Sequence, residues 1–513
     1  MLSKVNSFGL LGIDGFLTQI ETDIVGGVPH FELVGLGDTA VKEAKERVKS
    51  AIRNSGFEYP VKHYTINLAP ADVKKEGPLY DLGIAVGILA ASEQIKTKKY
   101  KDFIFLGELS LDGSLKKVRG VLPILISARN LGYRKFIIPK DNAEEAKFIS
   151  GMEIYAFSSL REVVEFLNDE NVVPAVKLET KTFEEVTKNV NNRLDFENVK
   201  GQASAKRALE IAAAGGHNVL MIGPPGSGKS MLAKCFSGIL PDLTFEEALE
   251  VTKIHSIAGT LDLKKGIITE RPFRTPHHTA SVVSLTGGGN HSKPGEISLA
   301  HNGVLYLDEF PEYTRSLIET LRQPLEDGYI TVARANQTVT YPSNFTLIAS
   351  MNPCPCGNYG SKDRECKCSP SQIHKYLSKI SGPIMDRIDI HIEVDNISYN
   401  DLHSDKKEES SADIKKRVDK ARNIQLERFK GTKTFSNAKM SVPQTKKFCK
   451  LSPQCEQLLE QAFTNLKLSA RAHDRILKVA RTIADLAGEE EILPQHIAEA
   501  VSYRGLDRKY WNI

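Results

Sequence analysis

Gly223-Pro224-Pro225-Gly226-Ser227-Gly228-Lys229-Ser230 fills every fixed position of the phosphate-loop pattern G-x-x-x-x-G-K-[ST]. The flanks fit as well. Asn218-Val219-Leu220-Met221-Ile222 is an apolar run of the buried-strand type, and Met231-Leu232-Ala233-Lys234 continues as helix. Each part has a physical task. Glycines let backbone N–H groups turn inward on phosphate oxygens, and the N-terminus of the following helix adds partial positive charge. Lys229 is placed to reach the β- and γ-phosphates of ATP, and the Ser230 hydroxyl to ligate Mg2+.

Two further strands complete this reading. Val304-Leu305-Tyr306-Leu307-Asp308-Glu309 is an apolar strand ending in two carboxylates. Asp308 would hold Mg2+ through water, and Glu309 would polarise the water that attacks the terminal phosphate. Thr346-Leu347-Ile348-Ala349-Ser350 leads to Asn352, whose amide is suited to orienting that water or sensing the γ-phosphate. Together they predict an α/β core that binds ATP with Mg2+ and hydrolyses it.

Around this core the chain is long enough for two or three domains, at 513 residues. Hydrophobic residues make up 41% and charged residues 26%, which suits a globular protein with real cores. The 68 basic residues nearly match the 64 acidic ones, so the net charge of +4 permits a nucleic-acid partner without arguing for one. No apolar run approaches the roughly 18 residues that cross a bilayer. The first residues lack the pattern of a secretory signal. A cytoplasmic protein without a membrane partner is the expectation.

Residues 1–167 alternate strand-like and helix-like segments: Val41, Ala44, Val48, Ala51 and Ile52 recur at helical spacing, and Tyr64-Thr65-Ile66-Asn67-Leu68 reads as a strand. Residues 168–193 are polar and read as a linker, 194–395 as the nucleotide-binding core, and 396–513 as helical after a charged loop. In that last part Ile414, Val418, Ala421 and Leu426 mark one amphipathic face, and Leu477, Ala480, Ile483 and Ala484 another.

Three other patterns bear on chemistry. Cys354-Pro355-Cys356 and Cys366-Lys367-Cys368 form a C-x-C, nine-residue, C-x-C array. Four thiolates in one short loop suit tetrahedral zinc, although the spacing is tighter than the usual C-x₂₋₄-C; free thiols are the alternative. Cys235, Cys449 and Cys455 read as ordinary thiols. Val34-Gly35-Leu36-Gly37-Asp38-Thr39-Ala40 resembles a dinucleotide-binding turn but lacks the acidic partner farther on, so a tight strand-to-helix turn is expected. His277 and His278 are adjacent, which directs their side chains apart in an extended chain; packing or partner contact is expected of them.

Arg271-Pro272-Phe273-Arg274-Thr275-Pro276-His277-His278, Pro294-Gly295-Glu296-Ile297-Ser298-Leu299-Ala300-His301 and Ser381-Gly382-Pro383-Ile384-Met385-Asp386-Arg387-Ile388-Asp389 resemble the YifB/ComM family of magnesium-chelatase-like AAA+ ATPases, and the likeness spans essentially the whole chain. The resemblance implies a homo-oligomeric, hexameric ring and, for competence members, a helicase that drives branch migration of DNA during natural transformation. It gives Asn352 the sensor 1 role. It makes Arg387 an arginine finger toward a neighbouring subunit, and Arg471 the sensor 2 arginine of a helical lid at 396–513, with Arg475 as the other choice for that role. It also makes residues 1–167 an α+β domain similar to the Lon protease. In Glu76-Gly77-Pro78-Leu79-Tyr80-Asp81 the nucleophilic serine's place is held by Leu79. In Arg119-Gly120-Val121-Leu122-Pro123 the lysine's place is held by Leu122. A Ser–Lys mechanism has neither group there.

Two insertions bear on what such a motor would move. Residues 255–295 are Gly-rich and carry Arg271, Arg274 and Lys293. Tyr329–Arg334 and Thr338–Tyr341 read as the two strands of a hairpin around the polar tip Ala335-Asn336-Gln337, with Arg334, Asn336 and Gln337 at or beside that tip. Related ring helicases grip DNA with such insertions, so these three residues are the expected contacts to single-stranded or branched DNA; packing on a neighbouring subunit is the other reading. A DNA-translocating ATPase comes first. A chelatase-type motor for metal insertion or protein remodelling comes second, and an ATP-dependent protease, weakened by Leu79 and Leu122, third.

Overall fold

The computed structural model describes residues 2–171, 173–176, 194–262, 266–289, 293–334, 337–361, 364–397, 407–432, 434–466 and 468–511, with backbone alone for 334, 337, 507 and 508. Most of the expected linker, and Asn336 at the hairpin tip, lie outside the described residues.

The N-terminal region is built on a seven-stranded mixed sheet. Its order is His30–Val34, His63–Ala69, Asp14–Val25, Leu2–Leu11, Ile104–Phe105, Lys135–Pro139 and Glu153–Phe157. The long strands Leu2–Leu11 and Asp14–Val25 form an antiparallel hairpin closed at the Leu11–Asp14 pair. Helix Thr39–Asn54 buries all five residues of the expected apolar stripe, and the Asp38 carboxylate caps it by accepting the Val41 N–H at 2.8 Å. The turn before it is structural, as expected. Gly35 has φ +103°, and a Cβ there would lie 2.4 Å from the Leu68 carbonyl oxygen, which only glycine avoids.

The central region is a five-stranded parallel sheet in the order Phe273–Arg274, Val304–Leu307, Thr346–Met351, Val219–Ile222, Ile390–Glu393. Val219–Ile222 and Val304–Leu307 are buried at every residue, which is why each reads as an unbroken apolar run. Parallel strands bring their carboxyl ends to one edge, and at such an edge ligands bind.

The C-terminal helices share a core with this sheet. Ile414, Val418, Ala421, Ile476, Ala480 and Ile483 cluster with Val219, Leu232, Phe236 and Ile390. One expected position is displaced: in helix Ser411–Arg428 the buried stripe of Ile414, Val418 and Ala421 continues to Gln425, and Leu426 is 37% exposed. Gln425 is buried because its amide is satisfied, donating to the Ala214 carbonyl and accepting the Asn437 N–H. Helix Ala470–Ala487 buries Leu477, Ala480, Ile483 and Ala484 as expected.

Residues 255–295 do not form a free insertion. They begin inside helix Phe245–Ala258, which seats the N-terminal region on the core. The Ser256 hydroxyl donates to Glu145 at 3.1 Å and accepts the Gly120 N–H at 3.2 Å. The hairpin of Tyr329–Arg334 with Gln337–Pro342 is present; Ile330, Val332, Val339 and Tyr341 bury one face, and Val339 packs against Gly12. Among the described residues no helix is long and apolar enough to cross a membrane.

Candidate nucleotide site

The phosphate loop leaves strand Val219–Ile222 and turns into helix Lys229–Ile239. Its glycines do separate jobs. A Cβ on Gly223 would meet the Val394 carbonyl oxygen at 2.1 Å, so that position must be bare. Gly226 and Gly228 take φ +79° and +90°, the left-handed conformation that turns the loop back on itself, and face open space.

Lys229 lies under this loop, 8% exposed. Its ammonium donates to the carbonyls of Gly223 and Pro224, both at 2.8 Å, and more weakly to Ser227 and to the Asn352 amide oxygen at 3.4 Å. Burial draws its pKa down to about 8, against the opposing pull of Asp308 and Glu309. The Ser230 hydroxyl donates to Asp308 at 2.9 Å. The expected P-loop, Asp308 and Asn352 therefore meet at the carboxyl edge of the sheet.

Asp308 has partners that the sequence reading missed. Ser350 donates to its other carboxylate oxygen, Tyr306 bonds Ser350 at 3.0 Å, and the Glu309 N–H reaches it at 3.0 Å. Burial pushes the Asp308 pKa up, but the hydroxyls of Ser350, Ser230 and Tyr306 outweigh it and hold the carboxylate below its ordinary range. The signal was present: Ser350 and Tyr306 are polar side chains in otherwise apolar buried strands.

Glu309 follows in a left-handed conformation, φ +52°, uncommon for a residue with a side chain. That kink turns its carboxylate out of the strand to 55% exposure, beside His278 Nδ1 at 3.3 Å. Here the reading of the histidines needs correction. The two rings do not diverge but lie 4.2 Å apart, centre to centre, because the chain turns at His278 and Thr279, closed by the Ala280 N–H donating to the His277 carbonyl at 2.9 Å. His278 faces the residue expected to activate water.

Arg387 is buried, ion-paired to Glu326 and bonded to the Pro383 carbonyl at 2.7 Å. Burial, and then the cations Arg471, Arg322 and Arg475, lower its pKa. Arg475 is tied to Asp389 and to the Arg387 carbonyl, whereas Arg471 is exposed. No hydrogen bond of Arg387 or Arg471 to the described residues reaches the phosphate loop of its own chain.

Arg271 and Arg274 are not free to grip a partner. Arg271 pairs with Glu247 at 2.8 Å and Arg274 with Glu296 at 2.6 Å, so both staple the core. Arg334 and Gln337 are the last backbone pair of the hairpin; their side chains, and Asn336, lie outside the described residues. The sulfurs of Cys354, Cys356, Cys366 and Cys368 all lie within 4.8 Å of one another.

Leu79 and Leu122 are both buried. Leu79 borders a cavity of about 610 Å³ between the N-terminal region, helix Phe245–Ala258 and the hairpin base, with Glu76, Arg119, Glu145 and Tyr341 among its walls. Burial pushes the Glu145 carboxyl up to about 7, against hydrogen bonds from Asn142, Ser256 and the Leu122 N–H.

A parallel sheet whose carboxyl edge carries a phosphate loop, an Asp–Glu pair and an asparagine defines an AAA+ type of nucleotide site. Family models agree along the chain: "Magnesium chelatase, subunit ChlI" matches residues 195–402, "Subunit ChlI of Mg-chelatase" 20–142, and "Magnesium chelatase, subunit ChlI C-terminal" 408–504. The chain is 45% identical to Competence protein ComM of Haemophilus influenzae over 511 residues, 99% of this chain and 98% of that one. It is 44% identical to the protein YifB of Escherichia coli over 509 residues, 99% and 98% of the two chains. Similarity to the magnesium-chelatase 67 kDa subunit of Chlorobaculum parvum is confined to 164 residues at 30% identity, 31% of this chain and 23% of that one. The chain belongs to the ComM/YifB family of magnesium-chelatase-like AAA+ proteins.

Proposed function

We propose that this protein is an ATP-hydrolysing ring motor that binds DNA and translocates on it, acting as a branch-migration helicase in natural transformation or recombination. The observation that carries the ATPase half is the convergence of Lys229, Ser230, Asp308 and Asn352, with Glu309 turned outward at its rim. Lys229 would hold the β- and γ-phosphates, Ser230 and Asp308 would fix Mg2+, and Glu309 would activate water. Full-length similarity to a protein named for competence supports DNA as the substrate. In a hexamer, Arg387 would serve as the arginine finger toward the nucleotide of a neighbour, and Arg471 as the sensor 2 arginine of the lid. The N-terminal domain, similar to the Lon protease but without the Ser–Lys pair, would serve assembly or partner binding.

A chelatase-type motor is the second reading, supported by the ChlI family models. Steady-state ATPase measured with single-stranded DNA, branched DNA, porphyrin or unfolded protein separates the readings. DNA should stimulate turnover, and Arg334→Ala should weaken DNA binding and flatten its salt dependence. Wild-type oligomer that neither binds DNA nor responds to it ends the translocase reading; stimulation by porphyrin alone favours the chelatase.

A further inference from the structure

We infer that Cys354, Cys356, Cys366 and Cys368 bind one zinc ion as thiolates, and that this ion fixes the wall of the nucleotide site against the phosphate loop. The coupling, though not the metal site, rests on the nucleotide-site reading above.

Geometry carries the metal. The sulfurs of Cys354 and Cys356 lie 3.4 Å apart, those of Cys354 and Cys366 3.7 Å, and those of Cys356 and Cys366 3.6 Å. A tetrahedral zinc site with Zn–S bonds of about 2.3 Å has sulfur–sulfur edges of about 3.8 Å. A disulfide would bring two sulfurs to about 2.05 Å, and all four are free thiols. A multi-iron cluster, ligated by cysteines on separate irons, would spread the sulfurs farther than these spacings. The ligand set is entirely soft sulfur, which selects zinc over magnesium or calcium. The Tyr359 N–H also donates to the Cys354 sulfur at 3.3 Å, the kind of outer hydrogen bond that orients a metal thiolate.

The loop has little else to order it. Among the described residues no helix or strand lies between Met351 and Pro370. Fixing such a backbone costs conformational entropy, which a bound cation offsets.

Its position links it to the nucleotide. The loop begins two residues after Asn352, which touches Lys229. Gly357, between the two cysteine pairs with φ +80°, presses on the phosphate loop: a Cβ there would lie 2.5 Å from the Pro225 ring. On the other side the Tyr359 ring meets Tyr510 edge-on at 6.2 Å. The Tyr510 hydroxyl donates to Glu393, at the end of the strand beside the phosphate-loop strand, at 2.6 Å. The cysteine loop is thus held between the phosphate loop and the C-terminal helix Leu506–Trp511.

Full-length protein purified under reducing conditions without chelator should contain one zinc per chain, and cobalt-grown protein should show the visible bands of a tetrahedral tetrathiolate. Stripping zinc with a thiol-directed mercurial should lower affinity for a fluorescent ATP analogue by about tenfold or more, and thiol plus zinc should restore it. The double variant Cys356→Ser with Cys366→Ser should lose metal and affinity together, with circular dichroism checking its fold. Reduced protein that holds no zinc, takes up no cobalt or carries iron overturns the metal assignment. Zinc that leaves and returns with no change in nucleotide affinity overturns the coupling. Wild type that binds no nucleotide defeats the nucleotide-site reading and the coupling with it, while metal content still decides the site.

Discussion

Ser350→Ala removes a single oxygen at a position with 0% exposure, away from bulk water. Ser350 has one hydroxyl proton and gives it to Asp308, so Tyr306 must donate to Ser350; proton order runs from Tyr306 through Ser350 to the carboxylate. Losing a hydrogen bond to a charged group costs about 1.5–3 kcal/mol, and the Tyr306 hydroxyl is left to find a new acceptor. Folding stability should fall by that amount in urea titrations. The sharper effect is on Mg2+, because groups that orient a metal-holding carboxylate typically change affinity by about 10–100-fold. ATP turnover titrated with Mg2+ should show half-saturation raised by about tenfold or more, with most of the maximal rate recovered at excess Mg2+. Tyr306→Phe should do much less, since Ser350 keeps its proton for Asp308. An unchanged Mg2+ requirement in Ser350→Ala, or a larger shift in Tyr306→Phe, would refute the assignment of this relay.

Lys229 is depressed to about 8, and only its ammonium form binds phosphate, so ATP affinity should fall as pH rises through about 8, by up to about tenfold per unit; Lys229→Arg, charged throughout, should flatten an equilibrium titration over that range. The same shift raises stability with pH between the folded and unfolded pKa values, because the unfolded chain then binds the extra proton. Glu309→Gln should bind ATP normally but hydrolyse it at least about a hundredfold more slowly, while His278→Ala should lower kcat by a smaller factor and leave ATP affinity alone, as single-turnover and binding measurements would show. Arg387→Ala should bind ATP yet turn it over poorly, and mixing with Lys229→Ala should restore part of the rate; no rescue in mixtures shown to co-assemble would mean that Arg387 does not act across an interface.

What the sequence made legible follows from which physics is local. The phosphate loop, its strand and its helix are written in consecutive residues, because backbone turning and phosphate binding both need fixed short spacings. Helix Thr39–Asn54 was visible for the same reason: five apolar residues at helical spacing bury one face. Pairings across distant segments were not visible. Arg271 and Arg274 stood in the sequence only as cations of a Gly-rich stretch, and their partners Glu247 and Glu296 lie more than twenty residues away. Gln425 displaced Leu426 because its partners, Ala214 and Asn437, come from other segments. His278 met Glu309 through a turn that the motif itself did not announce.

The N-terminal region shows how an absent hydroxyl can be read in both directions. Leu79 and Leu122 exclude a Ser–Lys pair at those positions, and that much is sequence. Why the surrounding cavity persists is a matter of packing. Its walls come from both regions, and the Leu122 N–H and the Ser256 hydroxyl of the core helix converge on the same Glu145 oxygen. Glu145 is costly to bury: with a folded pKa near 7 against 4.5, its contribution to stability is complete below pH 4.5 and lost as pH rises through about 7. A carboxyl placed so expensively, and shared between two regions, fits a junction that transmits position better than it fits a hydrolytic site, where a nucleophile would have to meet solvent and substrate. The same helix, Phe245–Ala258, carries Glu247 to Arg271 and His255 to the Leu299 carbonyl. One helix thus touches the Arg271 segment, the Leu299 carbonyl and, through Ser256, the Glu145 carboxyl of the N-terminal region.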